Sequence, residues 1–285
     1  MRRRRSERAG EALPDGAVRR RVERHRGGET THRLDAVAEE VPIAFVYNGR
    51  PHAVMLATPA DLEDFALGFS LSEAIVGAPA ECEKVEIAPT LGGIELRIAV
   101  PAARAASLAA RVRQLTGRTG CGLCGAQTLE AAVRHPPPVA EPTPIADAAL
   151  RRALDALAAR QTINVATGAT HAAAWATPDG AVALVREDVG RHNALDKLIG
   201  AMARARVDPR RGFLLVTSRA SYEMVMKAAT VGIGILAAIS APTALAIALA
   251  AEANLTLIAF ARPQGHSIYT HAARIHGAPR QGATA

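Results

Sequence analysis

Short apolar strands alternate with helices through the C-terminal half of this 285-residue chain. The pattern predicts three buried strands with two helices between them, at residues 213–218, 221–233, 235–239, 242–253 and 255–260. Such an alternation is typical of βαβ units, in which consecutive strands lie parallel in one sheet. We therefore expect an α/β domain with a largely parallel sheet over residues 146–276, and ligands at the carboxyl ends of its strands.

The N-terminal half shows a different pattern. Asn48-Gly49 between two apolar runs is a strong hairpin signal, and residues 84–100 predict a second pair of strands. Thr58 is predicted to cap a helix that follows the first pair. These elements predict a smaller α+β domain over residues 31–134.

Three segments are predicted to lie outside these domains. Residues 135–145 contain five prolines and are predicted to form a linker, while residues 277–285 form a C-terminal tail. Residues 1–30 are predicted to be a disordered basic tail. The first 26 residues hold ten arginines and four acidic residues, a charge of +6, whereas the whole chain carries +7. The folded part is therefore nearly neutral, and we expect no nucleic-acid partner.

Cysteine content and hydropathy indicate the compartment. Three cysteines are too few for a disulfide scaffold, and the basic N-terminus lacks the apolar run of a secretory signal, so we expect a cytoplasmic protein. Residues 228–251 carry no charge over a length that could cross a bilayer, but Gly232, Gly234 and Pro242 interrupt them. We expect a helix, a strand and a helix there, and no membrane partner.

Cys121 and Cys124 form a C-x-x-C pair flanked and separated by glycines. This spacing lets each thiol attack sulfur carried by the other, and the glycines leave the sulfurs unshielded. Three interpretations are open: a zinc site completed by Cys82 and histidines, a thioredoxin-like redox centre, or a persulfide carrier. The lack of a second closely spaced ligand pair disfavours zinc, and the number of glycines disfavours the thioredoxin motif.

A concentration of polar residues follows the strand predicted to end at Asp188. Residues 186–193 place six ionisable or amide side chains around one glycine, and this density favours a functional site that includes His192. The alternative is a solvated loop in which Asn193 caps the next helix. His171 is a second candidate.

Two further groups stand at predicted strand ends. Ser218 and Arg219, with Ser221, could recognise an anion at the start of a helix. The segment Phe260, Ala261, Arg262, Pro263, Gln264 and Gly265 closes the last strand in a similar way. The sequence contains neither a P-loop nor a G-x-G-x-x-G fingerprint, so any nucleotide must bind by other means.

A series of sequence blocks resembles the formate dehydrogenase accessory sulfurtransferases, the FdhD/NarQ family. In order, the blocks are EEVPIAFVYNG, DLEDFALGF, RTGCGLCG, TGATHAAAW, EDVGRHNALDKLIG, TSRASYEMVMKA, ISAPTALAIALA and IYTH. They extend over about residues 38–275. The basic N-terminal segment lies outside the resemblance.

The resemblance implies a sulfurtransferase that takes sulfur from a cysteine desulfurase as a persulfide on Cys121, with Cys124 as its partner. It implies transfer to the molybdenum bis(molybdopterin guanine dinucleotide) cofactor, bound as a substrate, before formate dehydrogenase receives it. The cofactor-binding residues implied are 260–265. The strand-end argument reaches the same segment and adds Ser218, Arg219 and His192.

The resemblance also implies a cytidine-deaminase-like three-layer fold for the larger domain, used as a homodimer. The deaminase metal signature, H-x-E with P-C-x-x-C, is missing, because Ala173 stands where the glutamate should follow His171 and no proline precedes Cys121. We therefore expect no catalytic metal. A chaperone that binds the cofactor without transferring sulfur, and a thiol redox protein, are the alternatives.

Overall fold

Residues 17–38 form a two-stranded antiparallel ribbon in the computed structural model, which describes residues 12–115 and 134–277. The strands are β1 (Ala17–Arg26) and β2 (Glu29–Ala38). The turn between them consists of Gly27 and Gly28, both with positive φ. The prediction of a disordered tail over residues 1–30 is therefore wrong from residue 17 onward. The charge of this segment concealed its strand pairing, which also depends on a helix distant in sequence.

A four-stranded sheet follows. Its spatial order is β4 (Arg50–Ala57), β3 (Val41–Tyr47), β6 (Gly93–Ala99) and β5 (Lys84–Thr90), with β3 and β6 parallel and the outer pairings antiparallel. Both predicted strand pairs are confirmed. Helices α1 (Leu62–Ser72) and α2 (Ala102–Leu115) accompany the sheet, and a 3₁₀ turn covers Pro79–Glu81.

The core of this part is small and aromatic. Phe45 of β3 contacts Phe65 and Phe69 of α1, with ring centroids 5.0 and 4.3 Å apart, and Leu96 of β6 is fully buried with them. Three of the chain's five phenylalanines therefore pack at one point, and they fix α1 against the sheet.

Helix α1 begins later than predicted. Asp61, with a φ of 54°, is its N-cap residue, and Thr58 does not cap it. Thr58 is fully buried, and its backbone and side chain contact the C-terminal part of the chain. The prediction that Thr58 caps α1 is wrong because a buried threonine and a capping threonine look the same in sequence.

A six-stranded sheet forms the centre of the C-terminal part. In spatial order its strands are β13 (Gly265–Ile268), β12 (Thr256–Arg262), β11 (Ile235–Ala238), β10 (Phe213–Val216), β8 (His171–Ala176) and β9 (Val182–Asp188). Only the β10–β11 and β11–β12 pairings are parallel. The sheet is therefore mixed, and the prediction of a largely parallel sheet is wrong. The short connections from β8 to β9 and from β12 to β13 allow only antiparallel pairing.

Helices cover both faces of this sheet. On one face α5 (Arg191–Arg204), α6 (Tyr222–Thr230) and α7 (Ala244–Glu252) pack against side chains such as Leu214 and Leu236. On the other face α3 (Asp147–Arg160) packs against Phe213 and Leu215, and α4 (Thr162–Thr167) follows it. The α/β class is confirmed, whereas the closer likeness to cytidine deaminases stays a prediction.

The predicted linker lies on the surface of the C-terminal part. Val139 anchors this segment: its side chain is buried in the core of the C-terminal part, and its N–H donates to the Ala253 carbonyl at 2.9 Å. Strand β7 (Ile145–Ala146) then pairs with β14 (Ile275–His276), which follows a 3₁₀ turn at Ala272–Arg274. The prolines therefore guide the chain along a packed path.

Residues 228–251 divide into the end of α6, strand β11 and most of α7, as predicted. Within residues 12–115 and 134–277, no helix combines the length and apolarity needed to cross a membrane.

The two parts of the chain meet where α1 crosses α5. A Cβ on Gly68 would overlap the backbone carbonyl oxygen of Asp196, and a Cβ on Gly200 would overlap that of Asp64. The helix backbones are thus in direct contact, and at this crossing each helix requires glycine.

Gly68→Ala is expected to lower the free energy of unfolding by at least about 3 kcal/mol, because the added methyl group forces the two helices apart. Gly92→Ala is the matched control, since a Cβ at Gly92 meets nothing within 4 Å. Urea unfolding of both variants measures the difference. Equal stability of the two would contradict the close crossing.

Candidate functional site

The strand ends predicted to bind a ligand lie side by side. Residues 217–221 follow β10, residues 239–243 follow β11, and residues 260–264 close β12; we call these three segments the carboxyl edge. The Phe260 N–H donates to the Ser240 carbonyl at 3.1 Å, and the Ala220 N–H donates to the Ala241 carbonyl at 3.1 Å. The structure therefore brings together three segments that follow one another at intervals of about 20 residues in sequence.

Phe260 is the most unusual residue of the carboxyl edge. It adopts a φ of 51°, a backbone conformation that bulky residues rarely take, and the residue is 49% exposed. The β12–β13 register shifts between Ala259 and Arg262 at the same place. An apolar ring held outward in this way is available to stack on a ligand.

The neighbours of Phe260 divide into two groups. Arg262, Gln264 and Gly265 are exposed and Pro263 is half-buried, so these residues can reach a ligand. Ala261 is 1% exposed and packs in the sheet core, so its side chain serves the fold.

Ser218 and Arg219 differ in what they offer. Ser218 is buried, and its hydroxyl donates to the Arg219 carbonyl at 3.0 Å. The Arg219 side chain is exposed. Ser221 is the N-cap residue of α6, as predicted, but its side chain makes no capping hydrogen bond.

Most of the polar segment 186–193 serves the fold. Arg186 donates to Asp64 of α1 at 2.6 Å, and Glu187 accepts from the Ile163 and Asn164 N–H groups at the start of α4. Asn193 does not cap α5, because its side chain donates to the Leu56 carbonyl and to Asp188. These residues confirm neither the predicted ligand site nor the solvated loop.

His192 is placed differently from these neighbours. Its Nε2 lies 2.9 Å from Glu223 Oε2, which links the start of α5 to the start of α6. Burial lowers the pKa of His192, and Arg191 adds to this effect, although Glu223 opposes it. Burial and Arg191 likewise lower the pKa of His171, at the start of β8.

A buried ion pair behind the site was not predicted. Lys197 Nζ lies 2.7 Å from Asp188 Oδ2, and both side chains are 0% exposed. Lys197 also donates to the Thr58 carbonyl at 2.8 Å, and the Thr58 N–H donates to Asp188 at 3.0 Å. Thr58, in the N-terminal part, therefore forms a backbone hydrogen bond with each member of the ion pair.

A second buried group surrounds Lys227. Its Nζ lies 2.9 Å from Asp196 Oδ1, 2.8 Å from Glu73 Oε1 and 3.0 Å from Ser72 Oγ. The sequence does contain a signal for both groups. The chain has only three lysines among many arginines, and two of the three are the buried Lys197 and Lys227.

Cys121, Cys124 and Arg118 lie in the segment 116–133, outside the described residues. The chain is described again at Arg134, ten residues after Cys124. The Tyr222 hydroxyl accepts from the Arg134 N–H at 2.5 Å and donates to its carbonyl at 3.0 Å. The Arg134 guanidinium also lies 2.5 Å from Glu73. Arg134 is therefore held at the first residue of α6, next to the carboxyl edge.

Within the two described ranges, no group of three or more His, Cys, Asp and Glu side chains is arranged to hold a metal ion. His266, which follows the segment 260–265, lies 3.6 Å from Asp147 of α3, on the face of the sheet opposite to α5, α6 and α7.

Glu73→Gln is expected to lower the free energy of unfolding at pH 7. The difference from wild type should shrink as the pH is lowered. Burial alone would raise the pKa of Glu73, but Lys227 and Arg134 outweigh it and lower the pKa to about 2. Stability from a lowered carboxyl pKa is present above the unfolded value of 4.5 and is lost as the pH falls toward 2. Urea unfolding between pH 7 and pH 3 measures this, with exposed Glu83→Gln as the control. A pH-independent difference between Glu73→Gln and wild type would contradict it.

Comparisons with known proteins agree with this architecture. The FdhD/NarQ family model matches residues 38–276. "Sulfur carrier protein FdhD" of Xanthomonas campestris pv. campestris (strain B100) is 60% identical over 260 residues, covering 91% of this chain and 92% of the relative. The protein of the same name from Bordetella petrii is 54% identical, covering 86% of this chain and 88% of the relative.

A solved structure shares the fold. It is the crystal structure of a Desulfotalea psychrophila protein proposed to be a formate dehydrogenase accessory protein, with a TM-score of 0.68 and 23% identity. The similarity covers 91% of this chain and 99% of that one. The family match and the relatives' identity over most of both chains show that this chain belongs to the FdhD/NarQ family.

Proposed function

We propose that this chain is a sulfur carrier in formate dehydrogenase maturation, with Cys121 carrying the sulfur as a persulfide. One observation carries the proposal: relatives named sulfur carriers are 60% identical over nearly the whole chain. The matched family region, residues 38–276, includes both Cys121 and Cys124.

The chemistry proposed is thiol exchange on sulfur. The Cys121 thiolate attacks the terminal sulfur of a persulfide on a cysteine desulfurase. The S–S bond of the donor breaks, the donor leaves as a thiolate, and a persulfide forms on Cys121. Cys124 stands three residues away and can exchange with this sulfur. No net oxidation or reduction is required, because the sulfane sulfur moves with its oxidation state unchanged.

The proposed recipient is the molybdenum bis(molybdopterin guanine dinucleotide) cofactor, bound as a substrate at the carboxyl edge. The residues there suit a nucleotide that bears phosphates. Phe260 presents an exposed ring for stacking, while Arg219 and Arg262 present exposed guanidiniums for phosphate oxygens. The carboxyl ends of β10, β11 and β12 face the same side, which is where ligands bind in sheets of this kind.

The position of Arg134 supports the link between the cysteines and this edge. Nine residues separate Cys124 from Arg134, and the ten Cα-to-Cα steps between them reach at most about 35 Å when fully extended. Because Tyr222 holds Arg134 beside the carboxyl edge, that length suffices for Cys124 to approach a bound cofactor.

Cys121→Ala is expected to abolish sulfur loading, because no thiolate remains to accept the donor's terminal sulfur. The wild type, incubated with a cysteine desulfurase and cysteine, should gain the mass of one sulfur atom in intact-protein mass spectrometry. Cys82→Ala is the matched control and should load normally. Cys82 is half-buried in the N-terminal core, and burial raises the pKa of its thiol.

Retention of the adduct in Cys121→Ala would overturn the assignment of the carrier residue. Formate dehydrogenase activity tests the alternative of a cofactor-binding chaperone. If Cys121→Ala still supports that activity while Arg262→Gln does not, the chain is a cofactor-binding chaperone that does not transfer sulfur.

A further inference from the structure

The ribbon of β1 and β2 is fixed to the body of the molecule at one end. A Cβ on Gly16 would overlap Thr58 and approach Ile163 of α4, and the Glu39 N–H donates to the Gly16 carbonyl at 2.8 Å. From this base, strands of 10 residues extend about 30 Å. Residues 25–32, which form the far end, are all exposed. The ribbon is therefore anchored at its base and accessible at its far end.

Both outer edges of the ribbon are unpaired. Within the described residues, β1 pairs only with β2 and β2 only with β1, so alternate N–H and C=O groups along each outer edge lack a strand partner. A two-stranded ribbon alone is marginally stable in water, and an exposed edge is a template for another strand. Leu34 and Val37 of β2 are also 57% and 40% exposed. The ribbon thus offers backbone groups and apolar surface that another chain can cover.

The positive charge of the ribbon is concentrated on β1. Five of the ribbon's six arginines lie on β1, and β2 contributes only Arg33. Arg24 and Arg33 lie 3.9 and 3.1 Å from Asp35, so these two already have a carboxylate partner. Arg20 and Arg21 are exposed, and neither forms an ion pair within residues 12–115 and 134–277. Their charges are available to carboxylates of a partner.

The two consecutive arginines indicate how such a partner approaches. Because Arg20 and Arg21 are neighbours in a strand, their side chains point to opposite faces of the ribbon. A membrane surface meets one face only, and a DNA groove that admits a ribbon presents its base edges to one face. A strand lying beside β1 has side chains on both faces and can place a carboxylate opposite each arginine. The geometry therefore favours the addition of a strand.

We propose that the outer edge of β1 binds an extended acidic segment of a partner protein, which adds to the ribbon as a third strand. Main-chain hydrogen bonds to β1 provide affinity, and carboxylates paired with Arg20 and Arg21 provide selectivity. The ribbon ends at Ala38, where the matched family region, residues 38–276, begins. The proposal does not depend on sulfur transfer.

Binding of synthetic peptides to the full chain tests this edge. The acetylated peptide ETETVEEE places a glutamate opposite each arginine of β1 when it lies antiparallel to residues 19–26. Titration calorimetry at low ionic strength should detect its binding. The peptide QTQTVQQQ lacks the charges. The peptide EPETPEEE keeps them but lacks one N–H in each set of alternate positions, so it cannot pair fully as a strand. Each of these two should bind at least about tenfold more weakly.

The double variant Arg20→Glu, Arg21→Glu is expected to bind ETETVEEE about tenfold or more weakly, because attraction becomes repulsion. The matched control is Arg206→Glu, Arg211→Glu, which makes the same change in net charge at two exposed positions between α5 and β10. It should bind the peptide as wild type does. Hydrogen exchange of the β1 amides should slow when the peptide binds, which distinguishes strand addition from side-chain contact alone.

Equal binding of ETETVEEE and EPETPEEE would overturn strand addition, as would the absence of ETETVEEE binding to wild type. Equal binding by the two double variants, or slowed exchange confined to β2, would overturn the assignment to β1. Tighter binding of a short DNA duplex, lost in Arg20→Glu, Arg21→Glu, would assign the ribbon to nucleic acid instead. A wild-type dimer that becomes monomeric in this variant, measured by sedimentation, would assign the ribbon to a second copy of the chain.

Discussion

The contact between the backbones of α1 and α5 determines how the rest of the molecule is arranged. At Gly68 and Gly200 neither helix has a side chain, so the two axes approach more closely than ordinary helix pairs can. The approach brings Asp64 of α1 within reach of Arg186 and Arg204. An N-terminal sheet and a C-terminal sheet are thereby joined into a single body.

The close crossing also explains why so many charges are buried beside it. Lys197 and Lys227 are almost fully enclosed, and a charge in such a place is costly unless it is paired and hydrogen-bonded. Each has a carboxylate within 3 Å and a further oxygen from the N-terminal part, Thr58 for Lys197 and Ser72 for Lys227. Ion pairs that need both halves of the chain specify how those halves fit together.

The sequence predicted local features well and long-range features poorly. The Asn48-Gly49 hairpin, the βαβ succession and the adjacency of the strand ends are consequences of turn chemistry and periodicity. Three other features depend on partners far along the chain. They are the ribbon at 17–38, the burial of Thr58 against Asp188, and the antiparallel pairing of β8 with β10. At the candidate site, residue types predicted Arg219 and Phe260, and the structure shows that both are exposed. The sequence could not show that the Ser221 hydroxyl has no hydrogen-bond partner among the described residues.

The helix crossing has a consequence during synthesis. Helix α1 ends at Ser72 and α5 begins at Arg191, so the ribosome adds about 120 residues between them. At about 5–20 residues per second, this takes on the order of ten seconds. For nearly all of that interval, Gly68 lacks the helix it packs against and Asp64 lacks its partners Arg186 and Arg204. The two parts of the chain can therefore join only after about two thirds of the chain has been synthesised.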